Sequence, residues 1–392
     1  MVEPTTTKSI PAGLPGSEVP YGVNEMRLNL RQWLAVLAIC VAGAWGIPRY
    51  WPHVERFTTG EDYRLPYALH KDYWLSQRRL ATIDPAAVPV LGDSVVWGEY
   101  VRSTGTLTHF LNQETGRPKR FVNCGINGLF PLAMEGLLDY YGPALRKRKL
   151  VVHCNVLWMS SPKADLSSKK EEDFNHSRLV PQFRPWIPCY RADMSERLGA
   201  VIERNVGFLA WVGHLENVYF DQQSLPRWTL LEDASNPPRR RNAWRNPLAQ
   251  ITMAVPGEPA DDPQRGPASP RHKPWSTGGT RLTRFSWVGL DESLQWQAFQ
   301  RVIALLRSRG NQVLVVVGPF NEHLVAEKQR PAFRQLRDGI AAWLVEQHVA
   351  HVVPDTLPSE LYADASHPLT EGYALLAKRI SQDAKFQGWL AQ

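Results

Sequence analysis

The chain has 392 residues, of which 43% are hydrophobic and 21% charged, proportions that exclude a wholly disordered, collagen-like or multi-span membrane chain. Its length suits one large α/β domain carrying an insertion. Lys and Arg exceed Asp and Glu by 45 − 38 = 7, yet the surplus is scattered. The densest runs, Arg146 to Lys149 and Arg239 to Arg241, lie beside loop-like sequence. Without zinc-finger spacing, zipper heptads or an RNA-recognition signature they read as solvated charge, and no nucleic-acid partner is expected. The four cysteines form no CxxC pair and are too few for a disulfide scaffold.

Residues 1–30, rich in Thr, Pro, Gly and Ser, read as a disordered tail. From Gln32 to Pro48 there is no charge, and Arg31 and Arg49 bound the segment. As a helix these residues cover about 25 Å, slightly less than a hydrocarbon core, and span it if the flanking residues snorkel. Trp33, Trp45, Tyr50 and Trp51 stand at the two ends, where amphipathic aromatics favour the headgroup region. Residues 31–51 therefore read as a transmembrane anchor. The competing readings are a signal peptide cleaved after Ala42-Gly43-Ala44, for which about 30 preceding residues are many, and a buried core helix. Flanking positive charge is balanced, Arg27 and Arg31 against Arg49 and Arg56, so it sets no orientation.

Beyond residue 52, β-rich runs alternate with helical patterns, the mark of a parallel sheet covered by helices. Strands are expected at Val88–Leu91, Arg120–Cys124, Lys149–Cys154, Gln312–Val317 and His351–Pro354. Helical spacing predicts helices from Ser94 to about Asn112, Leu132 to Leu145, Asp291 to Arg309, Pro331 to Gln347 and Thr370 to Gln382. An insertion, residues 160–290, separates strands three and four. Its first half has a helical pattern from Ser195 to His214 and several tryptophans, among them Trp186, Trp211, Trp228 and Trp244; its second holds nine prolines from Pro237 to Pro274. Such proline density predicts irregular, loose chain there, with the first half packing as a basic cap over the site.

In an open parallel sheet, ligands bind beyond the carboxyl ends of the strands. Those ends carry Gly92-Asp93-Ser94, then Asn123 to Gly128, then Asn155, then Gly318 to His323, and finally Asp364-Ala365-Ser366-His367 before the last helix. A serine becomes a nucleophile only beside a base, and the base needs a partner that fixes its tautomer. Ser94, His367 and Asp364 suit these roles. The backbone N–H groups of Ser94 and Gly128 and the side-chain amide of Asn155 suit an oxyanion hole, with Gly125 competing with Gly128. Asn321, His323 and Trp97 are candidate pocket residues, and Trp97 and Trp158 stand near enough to stack on a sugar or to pack in the core. No metal site is expected, since the histidines lack paired ligand spacing.

LGDSVVWGEY, NCGING, HCN and DASH followed by Pro resemble, in this order, the four blocks of the SGNH or GDSL hydrolase superfamily. The resemblance covers residues from about 86 to 380 apart from the insertion. It implies a flavodoxin-like three-layer sandwich around a parallel sheet of about five strands. It also implies ester chemistry without a cofactor: Ser94 attacks an acyl group, His367 acts as base and then acid, Asp364 orients His367, and Gly128 and Asn155 complete the oxyanion hole. The third block departs from the family's Gly-x-Asn-Asp, with His153-Cys154 before Asn155 and Val156 after it.

The membrane segment and the insertion are similar to those of members that act on envelope polysaccharides, including the alginate-type O-acetylation proteins. They imply a serine esterase or O-acyltransferase acting on an O-acylated glycan, anchored through residues 32–48, facing the periplasm or exterior and working with envelope acyl-transfer partners. A non-catalytic binding or scaffold protein on a degenerate fold of this type is the alternative. Fold analogy does not choose the substrate.

Overall fold

The computed structural model describes residues 28–230, 246–257, 272–279 and 281–392. Trp244, Arg239 to Arg241 and most of the expected tail and proline-rich stretch lie outside them. The chain divides into two compact units, residues 1–49 and Tyr50–Gln392.

Helix α1, Leu30–Val54, is the one element among the described residues long and apolar enough to cross a membrane, and none of its apolar window is buried. Its 25 residues extend about 37 Å, more than a hydrocarbon core. The helix continues three residues past the expected end at Trp51 and passes through Pro48, which removes one helical N–H. Arg49 turns back to donate to Trp45 O at 2.7 Å, and its guanidinium lies over the Trp45 ring.

The second unit is built on five strands: β1 (Val88–Gly92), β2 (Phe121–Gly125), β3 (Lys149–Cys154), β4 (Gln312–Val317) and β5 (Ala350–Val352). All neighbours are parallel and the order is β2-β1-β3-β4-β5. The central strands are almost wholly apolar because both faces are covered. Val90, Val151, Leu314 and Val316 enter one core with the helices Leu107–Glu114, Thr370–Gln382 and Ala384–Ala391. Leu91, Val152, Val315 and Val317 enter the other with the helices Pro131–Gly136, Leu294–Ser308 and Arg330–Glu346.

Several expected elements differ. The helix from Ser94 ends at Trp97, where Gly98 takes a left-handed φ of 88°, and helix resumes only at Leu107. The expected helix Leu132–Leu145 passes into a π-helix over Leu137–Tyr141 and stops before Gly142-Pro143. A final helix, Ala384–Ala391, goes unsignalled by its short pattern; Asp383 caps it by accepting from the N–H groups of Lys385 and Phe386.

Between β3 and the helix Leu294–Ser308 come the helices Met194–Asn205 and Gly207–Tyr219, where a helical pattern was expected. Of the proline-rich part, residues 246–257 and 272–274 are described, and these are held at several points. Pro247 opens a short helix, Pro247–Gln250, using the one helical position that needs no N–H. Arg56 N–H donates to Met253 O and Val255 N–H to Arg56 O, and the Trp275 indole N–H donates to Ser359 O at 3.0 Å.

A buried charged cluster fastens the start of this unit. His214 donates from Nδ1 to Asp72 at 2.7 Å and from Nε2 to Glu55 at 2.9 Å. Tyr219 and Arg78 also donate to Glu55, each at 2.5 Å. Burial alone would favour the neutral imidazole, but Asp72 and Glu55 overcome it and raise the His214 pKa to about 9. The stabilisation is therefore complete below the unfolded pKa of 6.5 and is lost as pH rises through about 9. His214→Leu leaves the buried Asp72 without its cation and Glu55 with Arg78 alone, and we expect it to cost about 3–5 kcal/mol near neutral pH. The gap in Tm between wild type and variant, followed by circular dichroism, should narrow as pH rises from about 6.5 to 9.

Candidate active site

The carboxyl ends of the strands and the loop after β5 bring Ser94, Asp364 and His367 together. Ser94 follows β1 at the first residue of a helical turn, so its side chain stands clear of the sheet. The Ser94 hydroxyl lies 2.8 Å from His367 Nε2 across 273 positions of sequence. His367 Nδ1 is 2.8 Å from both oxygens of Asp364. Burial would raise the Asp364 pKa, but the His367 ring and the N–H groups of Ser366 and His367 lower it. An ionised Asp364 only accepts, so the proton sits on His367 Nδ1 and Nε2 is left to take one from Ser94.

Asp93 is the buried centre behind Ser94. Its carboxylate accepts from Val95 N–H at 3.0 Å, the Asn155 amide at 3.0 Å and the Trp158 indole at 2.9 Å. His153 Nδ1 lies 3.3 Å away. Burial pushes the Asp93 pKa up, but the His153 ring, Val95 and Asn155 hold it down at about 2. Asn155 is fixed at both ends, since its Oδ1 accepts from Leu157 N–H. One amide hydrogen serves Asp93, and the Asn155 side chain is fully buried.

The two glycines separate by geometry. Gly125 N–H donates to Asn123 Oδ1 at 3.0 Å, and a Cβ there would stand 2.3 Å from Trp97 N. Gly125 is glycine because β2 passes against the nucleophile turn. Gly128 has φ +73°, and a Cβ would meet Asn175 Nδ2 at 2.2 Å. Among the described residues its N–H meets no protein acceptor, so of the two it is the one able to serve a ligand.

Two histidines invisible to motif reading brace the loop carrying Gly128. Asn127 N–H donates to His70 Nδ1 at 3.1 Å. Asn127 O lies 2.8 Å from His176 Nε2, while Tyr73 OH lies 3.1 Å from His176 Nδ1. Burial lowers the His176 pKa to about 4, so the ring is neutral, donating from Nε2 and accepting from Tyr73. Glu99 accepts from the Asn127 side chain at 2.9 Å and lies 3.6 Å from His367 Nε2. The Tyr100 ring meets His367 edge-on with centroids 5.3 Å apart, and His272, from the returning part of the long segment, packs on Tyr100 at 4.6 Å. Only Glu99 and Tyr100 carried a signal, through their nearness in sequence to Ser94.

The remaining candidates are placed differently from expectation. Asn321 joins the site from behind, donating from Nδ2 to Asp364 O at 3.1 Å and from its N–H to Ala365 O. His323 is exposed and its Nε2 meets Leu357 O at 3.0 Å, away from the triad. Trp97 is 1% exposed; its indole N–H donates to Leu65 O and Arg64 covers its ring, so it packs in the core instead of lining a pocket. Trp158 is also buried, with Asp93 as acceptor.

A pocket of about 300 Å³ is walled by Gly128, Phe130, Phe174 and Asn175. Next to it lies a groove of about 650 Å³ lined by six carboxylates, Glu171, Glu172, Asp173, Glu196, Glu203 and Glu216, against Arg178 and Arg191. The wall of this groove is therefore acidic, although residues 160–230 as a whole carry nine Lys and Arg against nine Asp and Glu. Among the described residues no three His, Cys, Asp or Glu side chains converge in a way that could hold a metal ion.

No family model matches the chain, and no curated protein matches it significantly.

Gly125→Ala and Gly128→Ala should differ in urea denaturation. The methyl at 125 meets the backbone of Val96 and Trp97 and cannot be accommodated without moving the Ser94–Trp97 turn away from β2, so a loss of about 3 kcal/mol or more is expected. The methyl at 128 meets a side chain and a strained φ, so about 1–2 kcal/mol is expected.

Proposed function

We propose that the chain is a serine-dependent acyl-transfer enzyme of the SGNH type, an esterase or O-acyltransferase, with an O-acylated carbohydrate of the cell envelope as substrate. The observation that carries this reading is the continuous hydrogen-bonded chain from Ser94 through His367 to Asp364. A serine, a base and an orienting carboxylate within hydrogen-bond reach form the minimum apparatus for an acyl-serine intermediate. The strand order β2-β1-β3-β4-β5, with an apolar core on each face, supports a flavodoxin-like three-layer sandwich. We read the long segment between β3 and β4 as an insertion into it.

His367 Nε2 takes the Ser94 proton as Oγ adds to the acyl carbon, and the imidazolium is held by Asp364. Charge on the former carbonyl oxygen is met by the N–H groups of Ser94 and Gly128 and by the other Asn155 amide hydrogen. His367 then protonates the leaving alcohol. A second hydroxyl, of water or of a sugar, gives its proton to His367 and attacks the acyl carbon; the bond from that carbon to Ser94 Oγ then breaks as Oγ takes the proton back from His367.

Helix α1 would anchor the enzyme, with the catalytic unit on the periplasmic or exterior side, where an acyl-transfer partner would supply or receive the acyl group. The acidic groove disfavours a polyanionic glycan on that face by like-charge repulsion.

A fluorophosphonate probe tests the reading directly. Wild type should label at Ser94, Ser94→Ala should not label, and His367→Ala should label about 10³-fold more slowly. A folded wild-type protein that never labels would favour a non-catalytic binding protein.

A further inference from the structure

Ten large hydrophobic side chains outside α1 stand exposed among the described residues, and seven of them fall between Phe183 and Leu209. On the helix Met194–Asn205 the exposed residues Met194, Leu198 and Ile202 recur every fourth position, and Val206 continues the row. That spacing places them on one face. Glu196, Gly199, Ala200 and Glu203 of the same helix line the acidic groove, so the helix has a polar face and an unpartnered apolar one.

The loop bearing Phe183 and Trp186 is fastened beside this face by Arg197. Its guanidinium donates to the carbonyls of Gln182, Tyr190 and Ala192 and lies over the Trp186 ring at 5.0 Å. Trp186 nevertheless remains 58% exposed, and Arg184 sits between the two aromatics. An aromatic pair with a basic residue beside an apolar helical stripe has the chemistry of a headgroup boundary.

The unit itself indicates what covers this face. It begins at Tyr50, so the last turn of α1 belongs to it. Trp51 of that turn packs edge-on against Trp211, with centroids 5.3 Å apart, and Glu55 is held by His214 and Tyr219. These three partners lie on the helix Gly207–Tyr219, which Val206 alone separates from the apolar row. Trp211 follows Val206 by five residues, about 7.5 Å of helix rise. The near end of the apolar row is thus about 7.5 Å along the chain's helix from the residue that touches the turn where the chain would leave a bilayer.

We propose that the face formed by Phe183, Trp186, Met194, Leu198, Ile202 and Val206 rests in the headgroup and upper acyl region of the bilayer that α1 crosses, a second and peripheral membrane contact. The proposal rests on the reading of α1 as a membrane anchor. Its consequence is that the helices behind the acidic groove are held at the membrane surface.

The test uses the full chain with Cys40→Ser, reconstituted in mixed phosphatidylcholine and phosphatidylglycerol vesicles. An environment-sensitive fluorophore is attached at Ile202→Cys or, as a control, at the exposed Val345→Cys. Lipids carrying a spin label near the carbonyl end of the acyl chain should quench the fluorophore at 202 about threefold more than at 345, and aqueous iodide should show the reverse order. Iodide access at 202 equal to that at 345 overturns the proposal. So does shielding of 202 from iodide without lipid quenching, which would reveal a protein cover such as a second copy. Failure of the chain to float with the vesicles overturns the anchor reading itself, whereas flotation with an iodide-accessible 202 overturns only the docking face.

Discussion

A carboxylate with almost no access to water, Asp93, organises the carboxyl edge of the sheet where Ser94 stands. Burial of an isolated charge at this depth is prohibitive, so the structure surrounds it with three hydrogen-bond donors and an imidazole. Val95 comes from the nucleophile's own turn, whereas Asn155, Trp158 and His153 come from β3 and the turn after it. Satisfying this one charge therefore locks the ends of two neighbouring strands together. It aims Ser94 and fixes which end of the Asn155 amide is nitrogen. A substitution that merely fills the space of Asp93 would leave several buried donors without an acceptor, a larger penalty than the loss of one hydrogen bond.

The rest of the site depends on a second device of the same kind, a loop held through neutral histidines. His70 accepts from Asn127 N–H, and His176 donates to Asn127 O. The backbone on both sides of Asn127 is thereby pinned, and Gly128 N–H is presented in a fixed direction. Because burial keeps His176 neutral down to about pH 4, this brace does not change with pH above that value. Preorganised donors of this sort lower a barrier because they do not reorient as charge develops.

Much of this was legible in sequence, and the divide follows the range of the interactions. β1, β3 and β4 were readable because a strand buried on both faces must be apolar at nearly every position. The helix Thr370–Gln382 was readable from its spacing. Ser94, Asp364 and His367 could be picked out because strand ends in a parallel sheet are where polar residues converge. The hidden features are pairings across 65 residues or more: Glu55 with His214, Tyr73 with His176, and Asp93 with the indole of Trp158. A His in an apolar stretch looks the same whether it braces a loop, neutralises a carboxylate or fills space. Trp97 illustrates the converse, since an aromatic three residues from a nucleophile suggests a pocket wall. Its indole is instead consumed by Leu65 O and Arg64, which no local pattern specifies. The break at Gly98 was legible in principle, and it matters because the reversal there carries Glu99 and Tyr100 back to the site.

That reversal bears on the chemistry proposed for the site. His367 has a carboxylate on each side, Asp364 at Nδ1 and Glu99 at 3.6 Å from Nε2. When Ser94 yields its proton, the positive charge on the ring is shared by two anions in a site sheltered from water, where such interactions are stronger than in solvent. A second carboxylate near the base would also oppose the oxyanion, but the Asn127 amide donates to Glu99 and turns part of its charge toward the bracing loop. The oxyanion donors meanwhile lie on the far side of Asn127, at Gly128, and on β3, at Asn155. The positive and negative charges that develop in acyl transfer are thus met by different groups, with Asn127 bonded to the first set and adjacent in the chain to the second. Glu99 also stands on the side of His367 from which an attacking hydroxyl must arrive, since Nε2 is the atom that takes its proton. Glu99 is thus placed to accept a hydrogen bond from the hydroxyl that approaches Nε2, whether it belongs to water, which can give one hydrogen to each group, or to a sugar, which gives the second from a neighbouring hydroxyl.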